Sequence, residues 1–197
     1  VGAQAYNGAN DTYIDVGLPN NNFGTSDKIR VKPEENATAL LRFDVAAPWL
    51  PAGAQIQGAK LRIMVQSITP SIAVTLRAYR VKRAWVDTQA NWTKASNALS
   101  WVTPGCQSPG EDFDPTLLSE LNCVKGVDAN NHPIWLEMDI TPAVQYWMDN
   151  PGENFGVVIK AVYCSQQTTT YTMWSSNAVS GMEASRPQLV ISYLPPA

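Results

Sequence analysis

Hydrophobic and polar residues alternate along most of the chain. Leu61, Ile63 and Val65 alternate with Lys60, Arg62, Met64 and Gln66, and Ile72, Val74 and Leu76 alternate with Thr75 and Arg77. A period of two sends successive side chains to opposite faces, the pattern of half-buried antiparallel strands. The same reading predicts strands over 12–16, 28–32, 37–45, 134–140, 155–164, 170–176 and 188–194, which are rich in Val, Ile, Thr and aromatic residues. Turn chemistry separates them at Pro19-Asn20-Asn21-Asn22, Pro51-Ala52-Gly53, Thr103-Pro104-Gly105 and Asn150-Pro151-Gly152. One segment changes period. Thr141 is placed to cap a helix, Pro142 suits its first turn, Gly152 lies beyond its end, and Val144, Trp147 and Met148 fall on one face. The expected fold is all-β: an antiparallel sandwich with one short helix over an end. No composition shift or repeat marks a second domain. Residues 11–197 are read as one domain behind an N-terminal arm at 1–10, with 103–131 as its longest irregular loop.

Composition narrows the chemistry. The chain has 197 residues, 16% charged against about 25% in an average domain, with seven Trp and a net charge of −3. The single His132 excludes an HExxH zinc site, and there is no G-x-S-x-G elbow and no phosphate-binding glycine loop. The weak negative charge argues against a nucleic-acid partner. The apolar run 155–164 is far too short to span a bilayer. The first residue is Val1, not Met, which predicts removal of a leader peptide and a secreted or cell-surface protein. Of Cys106, Cys123 and Cys164, the first two lie at the ends of a Pro/Gly/Asp-rich stretch and are the favoured disulfide. Such a bridge would contribute about 3 kcal/mol by loop closure. Three reduced core thiols are the alternative, and a left-over Cys164 is expected to be buried on a strand.

A series of motifs in order resembles a known family. They run from Asn22-Phe23-Gly24 through Leu40-Leu41-Arg42-Phe43-Asp44, Leu50-Pro51-Ala52-Gly53-Ala54-Gln55-Ile56 and Ala59-Lys60-Leu61 to Tyr79-Arg80-Val81 with Trp85, Asn91-Trp92 and Trp101. Met138-Asp139-Ile140-Thr141, Val144-Gln145-Tyr146-Trp147, Asn154-Phe155-Gly156-Val157, Trp174-Ser175-Ser176 and Arg186-Pro187-Gln188-Leu189 follow. From Asp11 to Tyr193 the chain resembles the extracellular DNRLRE domain family, also grouped as carbohydrate-binding module family 96 and related to disaggregatase-related repeats. The resemblance implies a jelly-roll sandwich, secreted or at the cell surface, usually non-catalytic, with acidic polysaccharides bound by some members.

Four groups of residues are candidates for function. Lys28, Arg30 and Lys32 alternate with Ile29 and Val31, so their charges share one strand face, and Lys60 and Arg62 add a second strand. Such a row suits carboxylates of an acidic glycan, or is simply a solvated face. Trp85, Trp92 and Trp101 are candidates for a sugar-stacking rim, or for core pins. Glu111, Asp112 and Asp114 offer oxygen ligands for a structural calcium ion, or are solvated turn residues. Val1, Ala3 and Ala5 alternate on an arm that would serve as a donor strand to a neighbouring copy. Repeated head to tail, that contact makes a filament. No catalytic residue is assigned; His132 stands alone as a base, and no carboxylate pair is fixed by spacing. The main expectation is a self-assembling structural protein of an extracellular filament, sheath or matrix, its partners being further copies of itself. The alternative is a module that binds acidic polysaccharide. Sequons at Asn10, Asn36 and Asn91 occur at about the chance rate for so Asn- and Thr-rich a chain.

Overall fold

The alternating segments pair into two facing sheets. The computed structural model describes residues 2–6, 8–34, 36–45 and 50–196, with residues 2–6 as backbone only. Val1 of the proposed arm and Trp49 lie outside the described residues. One sheet contains β1 (Gly2–Tyr6), β13 (Gln188–Leu194), β5 (Gln55–Thr69), β12 (Thr170–Trp174) and β3 (Lys28–Val31), with β10 (Trp135–Asp139) also paired to β5. The other runs in the order β2 (Ala9–Asp15), β4 (Ala37–Phe43), β11 (Val157–Tyr163), β6 (Val74–Val81) and β9 (Phe113–Val124). All their pairings are antiparallel. The chain crosses between sheets from β3 to β4, β5 and β6, and again from β9 to β10, β11 and β12. This crossing is the jelly-roll habit of a two-sheet sandwich.

The core lies between the sheets. Ile29, Val31, Leu61, Ile63, Val65, Leu136, Met138, Tyr171, Met173, Leu189 and Ile191 enter it from the first sheet. Ala39, Leu41, Phe43, Leu76, Ala78, Val157 and Ile159 enter from the second. The helix α1 (Thr141–Asp149) closes one end through Ala143, Val144 and Trp147. Thr141 is not its cap. It is the first helical residue, and its hydroxyl accepts the Ala59 N–H at 2.8 Å and donates to Asp139 Oδ1 at 2.6 Å. The side chain that would have capped the helix instead ties it to two strands.

The second sheet is buried on both faces at the centre of β4 and the start of β11, which explains their unbroken runs Leu40-Leu41 and Val157-Val158-Ile159. A flap at 82–112, carrying the hairpin β7 (Lys94–Ser96) and β8 (Leu99–Ser100), folds over its outer face. Ile14, Leu40, Val81 and Val158 pack there beneath Trp85, Ala90, Ala95, Trp101 and Cys106. Two family-like glycines are explained by close approach. A Cβ on Gly24 would stand 2.1 Å from Asp87 O, and one on Gly156 (φ +74°) would stand 2.1 Å from Leu41 O.

Two expectations are corrected. The stretch 103–131 is not an irregular loop, because most of its second half is β9, an edge strand bent by three register shifts against β6. The disulfide joins Cys123 to Cys164, not to Cys106. β9 and β11 flank β6 on opposite sides, and the two cysteines meet across Thr75, whose Oγ1 lies 3.4 Å from Cys164 Sγ. Cys106 lies on the inner side of the flap, fully buried.

Candidate functional site

The flap leaves the outer face of the first sheet as the broad open surface, and the strand parities that bury its apolar residues decide what lies there. With Ile29, Ile63, Val65, Leu136 and Met173 inward, Lys28, Lys60, Arg62, Met64, Trp135, Glu137 and Trp174 point outward. Register aligns them. Trp135 pairs with Met64, Met173 with Val65, and Trp174 with Lys28. The Val65 N–H donates to Ile134 O at 3.1 Å, just ahead of β10, while Met173 is its Cα partner. Hence β10 and β12 flank β5 on opposite edges. A row then crosses the face as Trp135, Met64, Trp174, Lys28. Neighbouring strands lie about 4.8 Å apart, so the two tryptophans stand about 10 Å apart.

One step along β5, charge joins the aromatic surface. The Arg62 guanidinium lies 4.8 Å over the Trp135 ring. It donates to Glu137 Oε1 at 3.0 Å and to Gln188 Oε1 at 3.0 Å. Lys60 Nζ donates to the other Glu137 oxygen at 3.2 Å. Two cations share one carboxylate, and the hydrogen bond from Lys60 holds the Glu137 carboxyl below its ordinary value, with Arg62 adding to the effect. The pairs are solvent-exposed, so each contributes only tenths of a kcal/mol to about 1 kcal/mol and yields readily to a competing anion.

The sequence candidates divide. Lys28, Lys60 and Arg62 share this face, Lys60 and Arg62 meeting on Glu137 and Lys28 lying opposite Trp174. Arg30 and Lys32 turn toward β2: Arg30 lies 5.6 Å over the Tyr13 ring, which stacks on Phe23 at 4.1 Å, and Lys32 Nζ is 2.6 Å from Asp15 Oδ2. The tryptophan rim does not form, because Trp85 and Trp101 are core pins of the flap, 2% and 4% exposed. Their indole N–H groups donate to Phe155 O and Asn91 O, and Trp92 packs against the same cluster. Trp135 and Trp174, both half-buried, are the tryptophans on the outer face of the first sheet instead. Period-two alternation around them gave the signal, but only cross-strand register brings them together.

The proposed calcium ligands do not converge. Asp112 is fully buried, accepts the N–H groups of Val102, Thr103 and Ser108 at 2.9, 3.1 and 3.1 Å, and pairs with Arg83 at 2.9 Å. Asp114 turns to Arg80 at 2.8 Å, and Glu111 is exposed. Among the described residues no three His, Cys, Asp or Glu side chains gather to hold a metal. His132 is exposed beside Asp128, 3.3 Å from its Oδ2. Asn91 is buried with its side chain bonded to Thr93, Lys94 and Asn20, so the folded chain does not offer it for glycosylation. The N-terminal strand is paired at home. Ala3 and Ala5 lie opposite Ser192 and Val190 of β13. Among the described residues no helix is long and apolar enough to cross a membrane.

The family model of carbohydrate-binding module family 96 matches residues 3–103, just over half of the chain. The match covers Lys28, Lys60 and Arg62 and stops before the strands that carry Trp135 and Trp174. No curated protein matches the chain.

Proposed function

Because the chain belongs to carbohydrate-binding module family 96, we propose that it binds polysaccharide, without catalysis, on the outer face of its first sheet. The observation that carries this reading is the row Trp135–Met64–Trp174–Lys28, with Arg62 and Lys60 beside it. Flat sugar faces pack on the two indoles, which combine apolar area with a polar edge. The cations beside them select a chain that carries carboxylates, with the planar Arg62 fork suited to bidentate contact. The ligand carboxylate displaces Glu137 from the two cations, and Glu137 keeps them spaced in its absence. The Cys123–Cys164 bridge fits an oxidising, extracellular setting. Closure of Gly2–Tyr6 onto its own β13 favours a monomer over a strand-donating polymer.

Affinity electrophoresis tests the reading. Retention in gels containing polygalacturonate is expected to exceed that in gels containing a neutral cellulose derivative, and to fall as salt screens the exposed cations. Trp135→Ala and Trp174→Ala should each weaken binding about tenfold, or 1.4 kcal/mol. Equal mobility in all gels would refute it.

A further inference from the structure

A second polar recess lies on the opposite side of the sandwich. Asn10 and Arg42 are cross-strand partners on β2 and β4 and face outward just where the flap ends. With Phe43, Asp44, Pro151 and Asn154 they line a recess of about 290 Å³. The Arg42 guanidinium lies 5.3 Å over the ring of Trp85, which is itself fixed by the bond from its Nε1 to Phe155 O at 2.7 Å. Arg62, Arg77, Arg80 and Arg83 each meet a carboxylate. Among the described residues Arg42 makes no ion pair. A buried aromatic therefore lies under a planar five-donor group at the mouth of a recess, with the exposed side chain of Asn10 beside it. The opposite wall is firm, because Asn154 is locked by its bond to Phe43 O at 2.7 Å and by the Gly156 N–H at 3.2 Å.

We propose that this recess is a second glycan site, taking a single carboxylate-bearing sugar unit, with Arg42 gripping the carboxylate and Asn10 contacting ring hydroxyls. A planar guanidinium fork is pre-organised for a bidentate bond, and donors and acceptors together around a small recess suit a polyhydroxylated ring better than a bare anion. The open face across the molecule suits a chain laid flat; this recess suits one unit or a chain end. A protein with both sites engages two chains, and its hold on a polymer gains from avidity. The inference shares its ligand class with the proposed function but not its residues.

The test uses the double variant Trp135→Ala/Trp174→Ala, in which the open face is disabled, titrated calorimetrically with glucuronate, glucose and acetate. Glucuronate is expected to bind at one site in the millimolar range, at least tenfold more tightly than glucose or acetate. Arg42→Gln should abolish that binding, and Asn10→Ala, an exposed change, should weaken it several-fold. Absence of glucuronate binding, or binding indifferent to Arg42→Gln and Asn10→Ala, overturns the proposal while leaving the open-face reading intact. Acetate binding as well as glucuronate would reduce the recess to a carboxylate site and also overturn it.

Discussion

Single side chains bear on both the proposed ligand preference and the pH response. Glu137 occupies Lys60 and Arg62 in the free protein, so it competes with any acidic ligand. Glu137→Gln should raise affinity for polygalacturonate a few-fold, as loss of an exposed pair worth up to about 1 kcal/mol implies, and leave neutral glycans unaffected in the same gels. Asp11 sits deeper. It is 2% exposed, and burial raises its pKa to about 7 against the pull of the Ser176 N–H at 2.7 Å. The folded chain thus keeps a proton that the unfolded chain loses from about pH 4 upward. Between the ordinary value of 3.8 and about 7 the folded state binds more protons, so this group's contribution to stability declines as pH rises and is gone above the folded value. Urea melts from pH 4 to 8 should show the decline in the wild type and not in Asp11→Asn, which keeps an acceptor for Ser176 but cannot ionise. Neither behaviour is legible in the sequence. The cations of the face were, because their alternation fixes a side; Trp135 and Trp174 were not, because an aromatic in a strand reads equally as core until its cross-strand partner is known.

At the scale of elements, alternation located the strands that bury one face and missed those that do not. β13 matches its expected span to the residue, since Leu189 and Ile191 are inward and their neighbours half-exposed. β9 was read as loop. As an outer strand it buries only Phe113 fully, contains Pro115 and slips register repeatedly, so no period survives. The flap was invisible for another reason. Its tryptophans pack onto a sheet whose second face the alternation rule assigns to solvent, and only the unbroken apolar runs of β4 and β11 hint that this face is covered. The Cys123–Cys164 bridge pins β9 to the sheet beyond β6. It closes a separation of 41 residues, for which loop closure gives about 4 kcal/mol. Cys164→Ser should lower the urea midpoint accordingly, with β9 amides the first to lose hydrogen-exchange protection.

At the scale of the molecule, the sandwich has one covered broad face and one open one, and this asymmetry directs the ligand. The flap covers much of the outer face of the second sheet and takes three of the tryptophans and a buried carboxylate into its packing. The helix seals one end, and the N-terminal strand is closed onto the sheet it extends. The broad face that stays open is aromatic and cationic, on a weakly negative protein. The indole N–H signals of an isotope-labelled sample, followed as oligogalacturonate is added, test this placement most sharply. The Trp135 and Trp174 signals should shift progressively and saturate together, while those of Trp101 and Trp147 stay fixed. Shifts confined to the flap tryptophans, or no indole shift at saturating ligand, would contradict the placement of the site.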